Sequence, residues 1–379
     1  MAAKTNTLFS KAAAQTVLQL ETCTKCKILN AFWPHLELSP QSFVEEEYAG
    51  FLQYIGQTLQ DLSPHDYQFA AQSFESLFGI IFALRDNPFQ QQTDLIISLK
   101  RSYLNTSDTA ICRSIHLAIQ LWLCLNVYCS DVPTVGALNP RGSRFHWSYD
   151  QPLDEIIAPQ FPSISKVMPV ITYQIDDSFT LANLKKICRL HIRWTSNLGD
   201  HLRLEGKQGE RTLSVFKHRI FLVNHYNSPV SIIPKPILRE ALLTLDLLLP
   251  YGDAATIKLL KQSKKVRGVP LEGRDSYNLE EFTYWRSNLV QLFDLLHGPP
   301  ESLFQTLRDT RNWSQWATVW VAIFGIFILT LVFGVLTTVY SISQYRVSVD
   351  SYKITLRSYE LSLAVACQQR TGPLSGFCG

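Results

Sequence analysis

The chain has 379 residues, 46% of them apolar and 18% charged, a balance that excludes a disordered chain, a collagen-like chain and a polytopic transporter. A net charge of +3 and a pI near 8.3 fall short of the basic footprint, a pI above about 9, that general phosphate binding requires. Nucleic acid is therefore not an expected partner.

Residues 1–130 read as a helical region. Met1–Leu20 carries Lys4 and Lys11, but Gln15 and Gln19 interrupt its only apolar stretch, so no cleavable secretory signal is expected. Ser39-Pro40 opens a helix whose apolar positions Phe43, Val44, Tyr48, Phe51, Leu52, Ile55 and Leu59 follow the 3.6-residue period. Ser63-Pro64 opens a second, with Tyr67, Phe74, Leu77, Phe78 and Ile81 on one face. A third starts near Asp108 and runs through Ile111, Ile115, Ile119, Trp122 and Leu123. It is apolar over so much of its circumference that it is expected at the centre of the bundle.

Pro133, Pro140, Pro152, Pro159 and Pro162 turn residues 131–178 into a long connection. Residues 179–300 read as α-rich with a small β element. Phe179–Cys188 is a short helix; Leu190, Ile192 and Trp194 alternate with polar residues as in a strand, and Thr212–His218 is a second strand. Helices are expected at Pro236–Leu249, at Ala254–Gln262 behind an Asp253 cap, and at Asn278–Leu296, whose stripe is Leu279, Phe282, Trp285, Leu289, Leu292, Phe293 and Leu296. Gly298-Pro299-Pro300 ends the last and starts a juxtamembrane helix.

Residues 301–345 contain the transmembrane helix. Asn312–Tyr345 has no charge and is flanked by Arg311 and Arg346. The densest part, 316–340, reaches about 37 Å as a helix, enough to cross a hydrocarbon core of about 30 Å. Trp313, Trp316 and Trp320 gather at one end, Tyr340 and Tyr345 at the other, as headgroup-level rings do. The lipid bilayer is thus the first expected partner. Thr330, Gly334 and Thr338, four apart, form a small-residue stripe for a partner helix. In the tail, 346–379, Val349, Tyr352, Leu356, Tyr359 and Leu363 suggest a short helix on the membrane surface, frayed at Thr371. The fold class is mainly α: a helical soluble domain with a small β element, then one C-terminal transmembrane helix.

Without an N-terminal signal, the N-terminal domain is expected in the cytosol and the C-terminal tail on the lumenal or extracellular side. Arg308 and Arg311 before the span against Arg346, Lys353 and Arg357 after it lean slightly the other way. Cys23, Cys26, Cys112, Cys124, Cys129 and Cys188 fall on the cytosolic side and are expected as thiols, each buried alone as a small hydrophobe. Cys367 and Cys378 lie in the tail, close enough for a disulfide. Cys23-x-x-Cys26 has no second CxxC or HxxxH beside it, so neither zinc nor redox use follows. The Asn105 sequon is on the cytosolic side and that of Asn312 abuts the membrane, so neither is an expected glycan site.

Trp194-Thr-Ser-Asn-Leu-Gly-Asp-His-Leu-Arg203, preceded by Phe179-Thr-Leu-Ala-Asn-Leu184 and followed by Leu242-Leu-Thr-Leu-Asp-Leu-Leu-Leu-Pro250, resembles a group of uncharacterised single-pass membrane proteins of filamentous fungi. These share a Trp-Thr-x-Asn-Leu-x-Asp-His-Leu core and a membrane region with Gln-Trp, Trp-Val-Ala, Leu-Thr and Phe-Gly. Here those are Gln315-Trp316, Trp320-Val-Ala322, Leu329-Thr330 and Phe333-Gly334. The resemblance covers about residues 115–345, and the long tail departs from it. It implies an anchored soluble part with no established activity.

No nucleophile elbow, P-loop, dinucleotide fingerprint or H-E-x-x-H is present. A terpene-cyclase site fails at Asp176-Asp177-Ser-Phe-Thr180, where a third carboxylate is missing, and at Asn224-x3-Ser228, which ends at Ile232 instead of an acidic ligand. His191, His201, His218 and His225 cluster in sequence around Asp200. Asp200, His201, His191 and His218 are therefore the candidate catalytic residues, with no cofactor or metal assigned. The structural alternative has Asp200 and His201 fixing a turn, paired to Arg203 or Arg193. Lys185, Lys186, Arg189, Arg193, Arg203, Lys207, Arg211, Lys217 and Arg219, and separately Lys258, Lys261, Lys264, Lys265 and Arg267, are candidate contacts for anionic lipid. The expected function is a non-enzymatic, membrane-anchored interaction or scaffolding module. Its rival is an accessory protein or enzyme of fungal secondary metabolism acting on a lipophilic substrate near the membrane.

Overall fold

The computed structural model describes residues 8–9, 17–104, 106–129, 131–133, 142–161, 175–207, 209–263, 278–298 and 313–369. The chain divides into two compact units, Met1–Glu301 and Ser302–Gly379, and each is described by itself. The first unit is mainly helical, with α1 (Thr22–Phe32), α2 (Glu45–Leu62), α3 (Phe74–Asp86), α4 (Gln92–Lys100) and α5 (Asp108–Leu123) preceding its strands. α5 is central. Its Ile111, Ile115, Ile119, Trp122 and Leu123 are all buried, and Ser107 caps its start by accepting the Ala110 N–H at 3.2 Å. Neighbouring segments fasten to it through polar atoms: Tyr54 Oη donates to the Gln120 carbonyl at 2.7 Å and Trp122 Nε1 to the Phe32 carbonyl at 3.1 Å.

Two helix starts differ from the proline-based expectation. At Ser39 and Ser42 the side chains hydrogen-bond each other's backbone, and this local turn holds off α2 until Glu45. Ser63–Gln68 winds only as 3₁₀ and leaves Tyr67 76% exposed. The α-helix waits for Ser73, whose hydroxyl accepts from Ser76 N at 3.1 Å while Ser76 Oγ accepts from Ser73 N at 3.0 Å, a closed capping box.

After α5, Cys124 takes a left-handed conformation, φ 50°, and the chain turns back. β1 (Val127–Tyr128) pairs in parallel with β2 (Phe145–His146), followed by α6 (Leu153–Ile157) and α7 (Leu181–Ile187). Residues 134–141 and 162–174 of the proline-rich connection lie outside the described residues. The expected small β element is present: β3 (His191–Thr195) runs parallel to β5 (Thr212–Phe216), with His191 opposite Thr212, and β4 (Leu204–Glu205) pairs antiparallel on the other side of β5. α8 (Arg219–Asn227), α9 (Lys235–Leu248) and α10 (Ala254–Ser263) follow, the last capped by Asp253, which accepts the Thr256 N–H at 2.8 Å.

The helix expected over Asn278–Leu296 is broken in two. Leu279–Glu281 is 3₁₀ and α11 covers Arg286–His297. Between them the buried Glu240 of α9 accepts the backbone N–H groups of Thr283, Tyr284 and Trp285 at 2.6–3.0 Å, drawing off donors that a continuous helix would use internally.

In the second unit α12 runs unbroken over Trp313–Gln369, 57 residues or about 85 Å. It is apolar enough to cross a membrane, and its side chains from Val321 through Tyr340 are exposed. The separate tail helix expected on the membrane surface is instead the continuation of this helix, since Arg346 to Gln369 contain no helix-breaking Gly or Pro. Residues 299–312 and 370–379, with the expected juxtamembrane helix and Cys378, lie outside the described residues.

Candidate functional site

The turn after β3 is built on Asn197 and Asp200. Asn197 accepts the Gly199 N–H and donates from Nδ2 to the Ser143 carbonyl at 2.8 Å and to Asp200 Oδ2 at 3.2 Å. Asp200 Oδ1 in turn accepts from Ser143 N at 2.6 Å and Arg203 Nη1 at 3.3 Å. Arg193 goes elsewhere, to Glu205 at 2.9 Å and Ser214 at 2.7 Å. Trp194, on the apolar side of the strand alternation, is half-buried.

The histidines of this element do not converge on one point. His201 is buried, with Phe216 N–H donating to Nδ1 at 3.2 Å. That bond leaves the proton on Nε2, which reaches Thr244 Oγ1 at 2.7 Å, while the Thr244 hydroxyl donates to the Ala241 carbonyl at 2.8 Å. Trp285 packs edge-on against the ring at 5.2 Å. Burial pulls the His201 imidazole down to about 3. His225 donates to the Trp122 carbonyl at 2.9 Å and is pulled by burial down to about 4. His218 pairs with Ser196 Oγ at 3.1 Å and is held well below the usual histidine range by burial and then by Lys217. His191 is exposed at the start of β3. A cavity of about 500 Å³ lies at another place, lined by Tyr226, Lys235, Arg239, Glu240 and Tyr284, and Glu240 there already accepts three backbone N–H groups.

A different constellation is assembled at α5. Cys112 and His116 are four residues apart and share one helical face. From Cys112 to Cys124 the helix advances about 18 Å, and the extended return from Cys124 to Cys129 covers about 17 Å, which carries Cys129 back to the same level. Cys112 Sγ and Cys129 Sγ are 3.7 Å apart, and His116 Nε2 is 3.5 Å and 3.2 Å from them. Gln92, at the start of α4 and fully buried, places Nε2 2.9 Å from Cys129 Sγ and 3.5 Å from Cys112 Sγ. The expectation that the six cysteines before the span are each buried alone is corrected: Cys112 and Cys129 meet, Cys23 is exposed and Cys188 is half-buried.

The electrostatics of the pair are asymmetric. The hydrogen bond between the sulfurs raises the Cys112 thiol and lowers that of Cys129, to which His116 and Gln92 add further stabilisation of the thiolate. Among the described residues these three side chains form one group of ligand types whose donor atoms all lie within 4.8 Å of one another. Two thiols and an imidazole could hold a soft or borderline metal ion, or act as a thiolate nucleophile with a neighbouring base.

No family model, curated protein or solved structure matches this chain. The geometry alone therefore bears on function. The thiol cluster contains no paired CxxC or HxxxH motif by which it could be recognised in the sequence. Its one local signal was the Cys112-x3-His116 spacing on a strongly predicted helix. Cys129 and Gln92 carried none.

Proposed function

We propose that this protein is a single-pass membrane tether that presents a helical interaction domain on the cytosolic side. The observation that carries the reading is α12, whose apolar side chains from Val321 to Tyr340 are exposed over a length sufficient for a bilayer. Support for a non-catalytic domain comes from His201, both of whose ring nitrogens are engaged inside a filled core. An accessory enzyme of secondary metabolism would need a lipophilic cavity at that ring, where Trp285 is packed instead.

The partner in this reading is another spanning helix meeting Thr330, Gly334 and Thr338. Thr330 and Thr338 return their hydroxyls to the carbonyls of Ile326 and Gly334, which leaves a smooth small-residue stripe. Beyond the membrane the same helix continues with Val349, Tyr352, Leu356, Tyr359 and Leu363 at alternating spacings of three and four, the period of a two-helix seam. Anionic lipid is a secondary contact. Arg193, Arg203 and Arg219 are engaged with Glu205, Asp200 and Asp246, while Lys185, Lys186, Lys207, Lys258 and Lys261 are exposed; Lys264, Lys265 and Arg267 lie outside the described residues.

In this reading Cys23, Cys26, Cys112, Cys124, Cys129 and Cys188, which are free, lie on the reducing side, and Cys367, which is disulfide-bonded, on the oxidising side. A glycosylation sequon introduced near residue 375 of the full chain should be modified and Asn105 should not. Modification of Asn105 with a protease-accessible tail would overturn the orientation. Two differently tagged copies should co-purify from mild detergent, and Gly334→Leu should reduce that recovery several-fold; undiminished recovery would remove the stripe as the contact.

A further inference from the structure

The donor triangle at α5 has the dimensions of a tetrahedral metal site. A zinc ion with Zn–S of about 2.3 Å and Zn–N of about 2.0–2.1 Å sets its ligands about 3.8 Å apart between sulfurs and about 3.6 Å apart between sulfur and nitrogen. The observed edges are 3.7 Å for Cys112 to Cys129, 3.5 Å for Cys112 to His116 and 3.2 Å for His116 to Cys129. The largest mismatch, about 0.4 Å, is within the reach of a small side-chain rotation.

We propose that Cys112, His116 and Cys129 hold one zinc(II) ion, with its fourth position taken by water. The donor set is soft and borderline, with no carboxylate, and so favours zinc over magnesium or calcium. Gln92 completes the surroundings: its buried amide N–H groups face both sulfurs, the position from which an outer partner offsets the charge of two thiolates. Zinc binding displaces to solvent the protons that the two sulfurs still hold, and the ion then links the middle of α5 to the returning chain at Cys129. A disulfide is the competing use of the pair. It requires the sulfurs to close from 3.7 Å to about 2.05 Å and leaves His116 and Gln92 with no part to play. The inference is independent of the tether reading, since it concerns only residues within the first unit.

The test uses the full chain purified in detergent under reductant, loaded with zinc sulfate and freed of excess by dialysis. Elemental analysis should find about one zinc per chain. Cys112→Ser/Cys129→Ser should lose it, and Cys23→Ser/Cys26→Ser should keep it. Cobalt(II) added to the unmutated chain should give the thiolate-to-cobalt charge-transfer band and intense visible bands of tetrahedral sulfur coordination, a readout that depends on no variant folding. Gln92→Ala should weaken zinc affinity by about 10–100-fold in competition with a chromophoric chelator. Zinc no higher than in the Cys112/Cys129 double variant, zinc that follows Cys23 and Cys26, a cobalt spectrum without the thiolate band, or a Cys112–Cys129 disulfide in protein quenched with alkylating agent would each overturn the proposal.

Discussion

Glu240 Oε1 lies 2.6 Å from the backbone nitrogen of Trp285, so a carboxylate on α9 caps the start of α11 from outside that helix. The same group also takes the N–H of Thr283 and Tyr284. Truncation would leave three backbone donors without their acceptor. Glu240→Ala should therefore destabilise the first unit by about 2–4 kcal/mol, and Glu240→Gln, which keeps one acceptor oxygen, by about half of that. Equilibrium denaturation of the two variants checks the order. Equal losses would show that packing, not the cap, sets the cost.

Asp200 fixes the turn after β3 by accepting from Ser143, Asn197 and Arg203. Asp200→Ala should cost about 1–3 kcal/mol through the donors it strands. Full thermal stability in that variant, with a cellular phenotype, would move Asp200 from a structural to a functional role.

Gly199 sits in the same turn against Phe145. A β-carbon there would stand 2.8 Å from Phe145 Cζ and 3.2 Å from Ser143 Cβ, and the buried Phe145 ring has little room to withdraw. Gly199→Ala should lower stability by about 1–3 kcal/mol through overpacking. Gly209→Ala is the comparison: no atom lies within 4 Å of the added carbon, so its cost comes from the left-handed backbone alone, φ 89°.

Acid should unfold the first unit earlier than its carboxylates alone would. His201, His218 and His225 are buried and neutral, with folded values of about 3 for His201 and about 4 for His225, and lowered well below the usual range for His218. Unfolded, each takes up a proton below about pH 6.5, so the unfolded chain binds more protons and stability falls with pH. This contribution is complete above about pH 6.5 and is lost as pH falls from there to about 4 for His225 and about 3 for His201, at about 1.4 kcal/mol per pH unit for each histidine. Replacing His201 with Gln should flatten the slope in that window. An unchanged slope would mean that the ring is charged in the folded protein.

The period of the apolar residues determined much of this protein without reference to any distant contact. Ile111, Ile115 and Ile119 mark α5 because a helical stripe repeats within the helix itself, and the charge-free run from Asn312 to Tyr345 marks the span because length and hydropathy are local sums. The alternation around Trp194 likewise gave β3, but not that its neighbour in the sheet would be the later β5, in parallel. Tertiary structure decided the rest. Glu240 splits a segment whose stripe reads as one helix, because backbone donors bond to whichever acceptor is brought to them. His201 and His218, near each other in sequence, go to different partners, while Cys112 and Cys129, 17 positions apart, meet. That meeting depends on a left-handed Cys124 and on an extended return matched in length to the helix it retraces, a relation between two segments that no spacing within either one contains.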